Sequence, residues 1–221
     1  MCGRYTLMGT WAEIHALYSL ILAVDRARNT PPRHNIAPTQ DVLFVHLDGE
    51  GRQIVDEGRW WLVPFWAKEV PKLAMFNARS EDAERKPAFR EAFRSKRCLI
   101  PADGFYEWAK GQDGGKDPWF IHLPGRKPFS FAGLWAHNDN LDITSCTILT
   151  AAAIDPVKQL HNRMPVILDP SAYDAWLDPD TPVPDARALL SENLDAGLQF
   201  HRVSRSVNSS RYQGDDAAEP I

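Results

Sequence analysis

Along most of this chain the apolar positions alternate or run in short β-branched stretches, and only in a few places do they fall at helical spacing. Thr10-Trp11-Ala12-Glu13 forms a capping box, in which the threonine hydroxyl caps a helix start and Glu13 reaches back. Ile14, Leu17, Tyr18 and Ile21 follow at helical spacing and predict an amphipathic helix over roughly 10–24. A charged helix is expected over about 81–94. Shorter ones are expected over Asp155–His161, Tyr173–Leu177 and Ala186–Leu194.

The remaining apolar segments read as strands. Val42–Leu47 is β-branched, and the turn Gly49-Glu50-Gly51 returns it into a second strand near 52–55. The aromatic segment Gly58–Trp66 begins as a strand until Pro64 turns it into a loop. Arg97–Pro101 is a strand that leads through Gly104, a turn or bulge position, into a second strand carrying Tyr106, Glu107 and Trp108. Further strands fall near 118–123, 128–135, 143–150, 166–168 and 200–203. Asn29–Arg33, with Pro31-Pro32, reads as a loop that His34-Asn35-Ile36-Ala37-Pro38 ends, and 75–80 as a polar interruption. The fold class is therefore α+β: a curled or barrel-like, mainly antiparallel sheet with peripheral short helices. One domain over 1–221 is expected, with a polar tail that frays beyond about residue 209.

Composition supports a single packed domain, since 44% of 221 residues are hydrophobic. No apolar run is long enough for a membrane span, and the N-terminus lacks the basic-then-apolar order of a secretory signal. Three cysteines without a CxxC pair argue against a disulfide framework and a structural zinc, and for a reducing compartment. The net charge of −4 argues at first against a nucleic-acid partner. However, residues 169–195 alone hold seven acids and one base, so the rest of the chain is net positive. Arg202, Arg205 and Arg211 lie in an acid-free stretch, as does Arg4.

The most distinctive chemistry sits at the start, Met1-Cys2-Gly3-Arg4. If Met1 is removed, Cys2 carries a thiol and a free α-amine on adjacent carbons. Such a 1,2-aminothiol either attacks a carbonyl through its thiolate or traps an aldehyde as a thiazolidine. The amine titrates near ~7.7–8.0 and the thiol near ~8.5, so both react near neutrality. For an arbitrary chain the plainer reading, a small residue at a frayed end, outweighs this one, and Cys2 needs partners. Glu107, between Tyr106 and Trp108, is either a solvent-facing strand residue or a carboxyl in an apolar pocket. In the second case desolvation raises its pKa and suits it to acid/base work.

The order of motifs supplies such partners. Met1-Cys2-Gly3-Arg4 is followed by Asn35-Ile36-Ala37-Pro38, Asn77-Ala78-Arg79, and Arg97-Cys98-Leu99-Ile100-Pro101-Ala102-Asp103-Gly104-Phe105-Tyr106-Glu107-Trp108. Then come Ala132-Gly133-Leu134-Trp135, His161-Asn162-Arg163-Met164-Pro165 and Val203-Ser204-Arg205-Ser206-Val207-Asn208. The series resembles the SOS response-associated peptidase family, whose members protect abasic sites in DNA. The resemblance implies that Cys2, exposed by loss of Met1, crosslinks the ring-opened abasic aldehyde in single-stranded DNA. It implies that Asn77 holds the Cys2 amine, that Glu107 serves as acid/base, and that His161 lies beside the sugar and phosphate. Arg4, Arg79 and Arg163 are implied as phosphate contacts, with Asn35, Pro38 and Trp66 on the DNA-binding side. It implies no cofactor, no metal and no membrane, a monomer, and a cytoplasmic, nucleoid-associated location. Two rivals stay open at this point: an N-terminal-nucleophile hydrolase using Cys2, and a non-enzymatic single-strand binding module. Removal of Met1 by a host aminopeptidase is simpler than self-cleavage.

Overall fold

The structure is a computed structural model that describes residues 2–18, 31–191 and 197–221. Its frame is a closed barrel of five strands: β3 (Asp41–Leu47), β4 (Gln53–Trp60), β6 (Arg97–Ala102), β9 (Phe129–Asn138) and β10 (Ile143–Ala152). They pair in the order β10-β4-β3-β6-β9 and back to β10. All pairings are antiparallel except β10 with β4, so the barrel is mixed. Closure leaves no free sheet edge around the ring. On these strands Phe44, Trp60, Leu99, Phe131, Leu134 and Ile148 are all fully buried.

Three short strands hang on the barrel. β5 (Asn77–Arg79) runs parallel to β10 with Thr150 opposite Arg79. β11 (Arg163–Pro165) lies antiparallel to β10 with Ala152 opposite Arg163. β12 (Ile167–Leu168) pairs with β9.

A second, antiparallel sheet packs beside the barrel. It is ordered β13 (Gln199–Arg202), β8 (Lys116–His122), β7 (Gly104–Lys110), β1 (Tyr5–Leu7) and β2 (Arg33–Ile36). Gly104 is required where β7 starts: a Cβ there would lie 2.1 Å from the Phe120 ring. Phe105 and Ile121 face the barrel core, whereas Tyr106 and Phe120 face a smaller cluster on the other side.

The α+β class and the barrel-like curl agree with the sequence reading, and four local expectations change. The helix over 10–24 is seen as α1 (Trp11–Leu17), and the expected end beyond Tyr18 lies outside the described residues. Thr10 and Glu13 form the reciprocal capping box. The charged helix is two pieces, α2 (Ser80–Ala83) and α3 (Arg90–Ser95), separated around Pro87. Proline lacks an N–H and pushes the preceding residue out of the α region. Asp155–His161 holds only a 3₁₀ turn over Val157–Gln159. The last two helices are α4 (Tyr173–Leu177) and α5 (Val183–Leu189), and part of the expected 186–194 helix lies outside the described residues.

The frayed tail is a further correction. Ala217 and Ala218 are fully buried against Tyr106 and Phe120, Val203 bridges Pro220, and the Ile221 N–H donates to Arg202 O at 3.1 Å. Small alanines pass under the aromatic face where larger side chains would not fit.

Candidate functional site

The second sheet and the barrel meet along a seam. From the sheet come the residues just before β1 and the middle of β7. From the barrel come β5 and the loop leading into β11. Asn77 crosses the seam: its Nδ2 donates to the Cys2 carbonyl oxygen at 2.7 Å. Its Oδ1 is buried with no hydrogen-bond partner among the described residues.

Cys2 is fully buried, with Sγ 3.8 Å from the Arg4 carbonyl. Burial pushes its thiol well above the ordinary value, and the nearby Glu107 carboxylate pushes it further. Glu107 is only 3% exposed. Across the β7–β8 register it faces Trp119, whose indole helps exclude water from the carboxyl. Burial raises its pKa, and the charge of His161 pulls the other way. The apolar-pocket alternative for Glu107 is thus the one the fold adopts. His161 is oriented by the backbone of β11: the Arg163 N–H donates to its Nδ1 at 3.0 Å. The Arg163 carbonyl oxygen also lies 3.1 Å from the same nitrogen, so the ring is held on this side by the Arg163 backbone. Cys2, Asn77, Glu107 and His161 are therefore linked pairwise at the seam, Asn77 to Cys2 by a hydrogen bond and Glu107 to Cys2 and His161 by charge.

The three arginines differ in their surroundings. Arg79 is exposed, and no ion pair holds it among the described residues. Arg4 donates to Asn35 Oδ1 (3.0 Å), Val207 O (2.8 Å) and Asn208 O (3.4 Å), and lies 5.8 Å from the centre of the Trp108 ring. Arg163 makes a two-pronged contact with Glu81, through Nη1 at 2.5 Å and Nη2 at 2.9 Å. Its Nη2 also donates to Thr150 O at 2.5 Å.

Asn35, Pro38 and Trp66 fall outside this group. Asn35 is fully buried, and its amide donates to Ser209 O and Tyr212 O at 3.0 Å each, tying β2 to the C-terminal segment. Pro38 is half-buried in the turn after β2. Trp66 and Phe65 are 54% and 55% exposed. They edge a small cavity of about 60 Å³ beside Lys96 and Trp135, on the α3 side of the barrel.

Sequence reasoning missed Glu81, Thr150 and the pairing of Trp108 with Asn208, whose Oδ1 accepts the indole N–H at 2.6 Å. Glu81 and Arg163 stand 82 positions apart, and no local pattern joins them. Among the described residues no group of three His, Cys, Asp or Glu gathers as a metal site would require. None of the described helices is long and apolar enough to cross a membrane.

Comparison with known proteins places this architecture. The abasic site processing protein YoaM of Bacillus subtilis is 37% identical over 216 residues, covering 96% of this chain and 94% of that protein. YoqW of the same organism, also named an abasic site processing protein, is 35% identical over 224 residues, 99% of each chain. The crystal structure of a phage-related protein from Bordetella bronchiseptica superposes with a TM-score of 0.78 at 27% identity, covering 97% of this chain and 100% of that one. The family model described as SOS response associated peptidase (SRAP) matches residues 1–210, and the chain belongs to that family.

Proposed function

We propose that this protein processes abasic sites in single-stranded DNA by capturing them covalently on Cys2. The observation that carries the reading is the buried Glu107 carboxyl, which bears on the Cys2 thiol on one side and feels His161 on the other. The names of the relatives support the coarser half of the reading, abasic-site processing. The chemistry of these residues supports the finer half.

An abasic sugar is mostly a closed hemiacetal, and its aldehyde is released when an acid helps open the ring. A carboxyl whose pKa is raised by burial, as that of Glu107 is, is suited to that step. After Met1 is removed, the Cys2 amine adds to the aldehyde and the carbinolamine loses water to give an iminium. The Cys2 thiol then adds to the iminium carbon, its proton passes to a base, and the thiazolidine closes. One water leaves overall. While Met1 remains attached, an amide stands in place of that amine and the ring cannot form. His161, which bears on the Glu107 carboxyl, is the proton relay in this reading. The raised thiol pKa favours this amine-first route over the hydrolase rival, which needs a thiolate from the start.

The test is intact-mass analysis of protein lacking Met1 after incubation with single-stranded oligonucleotide containing one abasic site. The expected species has the mass of protein plus oligonucleotide less one water, and it survives denaturation. Absence of any covalent species with active-site protein and reactive aldehyde present overturns the proposal. Equal noncovalent affinity for intact and abasic strands, with no adduct, supports the binding-module rival instead.

A further inference from the structure

Of the three arginines around the site, only Arg163 is held by a carboxylate. Arg4 is held by an amide oxygen and two carbonyls, which leave its charge uncancelled. Arg79 stands exposed. Glu81 cancels the charge of Arg163 and does so in two-pronged form, the same geometry in which a guanidinium grips a phosphate. From this contact we infer that Glu81 is a built-in counter-ion, which occupies Arg163 in the free protein and yields it to a backbone phosphate when a DNA strand binds. The inference rests on the reading above that a single strand is the substrate.

The two partners are unequally fixed. The Arg163 side chain is 16% exposed, whereas that of Glu81 is 51% exposed. Arg163 is also held from behind by Thr150 O, through a bond that does not involve Glu81. Its Nε is buried and has no acceptor among the described residues, so the guanidinium has donor capacity that Glu81 does not use. When the pair opens, the guanidinium therefore stays and the carboxylate moves. A groove of about 470 Å³ flanks Glu81 and leaves room for the departing carboxylate, while Arg187 on its wall is paired with Glu84 at 2.8 Å. A phosphate that replaces Glu81 must displace a bonded anion, which lowers affinity for any strand. The adduct is covalent, so tight noncovalent binding is not needed to keep an abasic strand. Glu81 then acts to let intact strands go.

The experiment compares wild-type protein with Glu81→Gln and Glu81→Ala, all lacking Met1. Each is titrated with a single-stranded oligonucleotide carrying one tetrahydrofuran site, an abasic analogue with no aldehyde, over a range of salt concentrations. Both substitutions are at a half-exposed position, and melting curves confirm that the fold is kept. The expected result is several-fold tighter binding by both variants. The plot of log affinity against log salt should keep its slope, because Arg163 neutralises the same phosphate in the wild-type and variant complexes. Unchanged or weaker binding by both variants makes the pair a purely structural clamp and overturns the inference. Crosslinking of a true abasic strand by the wild type is measured alongside. Wild-type protein that neither binds nor crosslinks overturns the functional reading and the inference with it. Wild-type protein that crosslinks while the variants bind no more tightly overturns the inference alone.

Discussion

Cys98 and Cys146 inside the barrel, and Cys2 at the seam, are all fully buried, and burial pushes all three thiols upward. The difference lies in what surrounds them. Cys98 faces Gly133 so closely that a Cβ there would come 2.9 Å from its sulfur, with Ile100 as near. Cys146 is in register with Trp60 on one side and Trp135 on the other. Cys2 instead has an amide from Asn77 on its carbonyl and the Glu107 carboxyl nearby. A dry environment is common to both regions, and at the seam a desolvated carboxyl shares it with the thiol. Desolvated polar groups are costly to stability, and they persist where their chemistry is used.

Substituting the thiols tests this contrast most severely. Cys2→Ala is expected to abolish the denaturation-resistant adduct. Cys98→Ala is expected to leave the adduct intact and to cost about 1 kcal/mol in urea melts, as deletion of a single buried group does. A normal adduct from Cys2→Ala would sink the contrast entirely.

Glu107 comes next in magnitude. Glu107→Gln removes the acid and is expected to slow adduct formation by ~10²–10⁴-fold. The pH dependence sharpens this. Glu107 acts in its protonated form, and burial raises its pKa. Its contribution is therefore present below that raised pKa and lost as pH rises through it. The Cys2 amine acts in its neutral form and works the other way. The wild-type rate should pass through a maximum, and the decline at high pH should vanish in Glu107→Gln. Asn77→Ala is expected to have a smaller effect, about tenfold on the rate, because one neutral hydrogen bond is worth ~0.5–1.5 kcal/mol.

The two regions were also unequally legible in the sequence. Barrel strands such as β3, β6, β9 and β10 are long and apolar, and their own residues announce them. Apart from β7, the seam is built around β1, β5 and β11, three residues each, whose strand character comes from partners far along the chain. Residues 75–80 read as a polar interruption because Asn77 faces the Cys2 backbone and Arg79 the solvent, not a core. The chemistry-bearing residues were named from the order of motifs, yet nothing local showed that Glu81 meets Arg163 or that Asn35 meets the tail. The tail itself misled because buried Ala217 and Ala218 look no different in sequence from exposed alanines.

Asn35 and Asn77 offer the finest version of the comparison. Both are asparagines whose amides donate to backbone carbonyls, one far from Cys2 and one on it. Asn35 accepts from Arg4 while donating to the carbonyls of Ser209 and Tyr212, so a single side chain joins β1, β2 and the C-terminal segment. Asn35→Ala leaves those part-buried carbonyls without their donor and removes one acceptor of Arg4, at an expected cost of ~1–3 kcal/mol. Asn77→Ala leaves only the Cys2 carbonyl without its donor. The expected outcome is a double dissociation. Asn35→Ala lowers the urea midpoint and, where the protein is still folded, changes the rate of adduct formation little. Asn77→Ala slows the adduct and shifts the midpoint less. Weaker DNA binding by Asn35→Ala with an unshifted midpoint would make Asn35 a direct DNA contact, and the distinction between clamp and site would have to be redrawn around it.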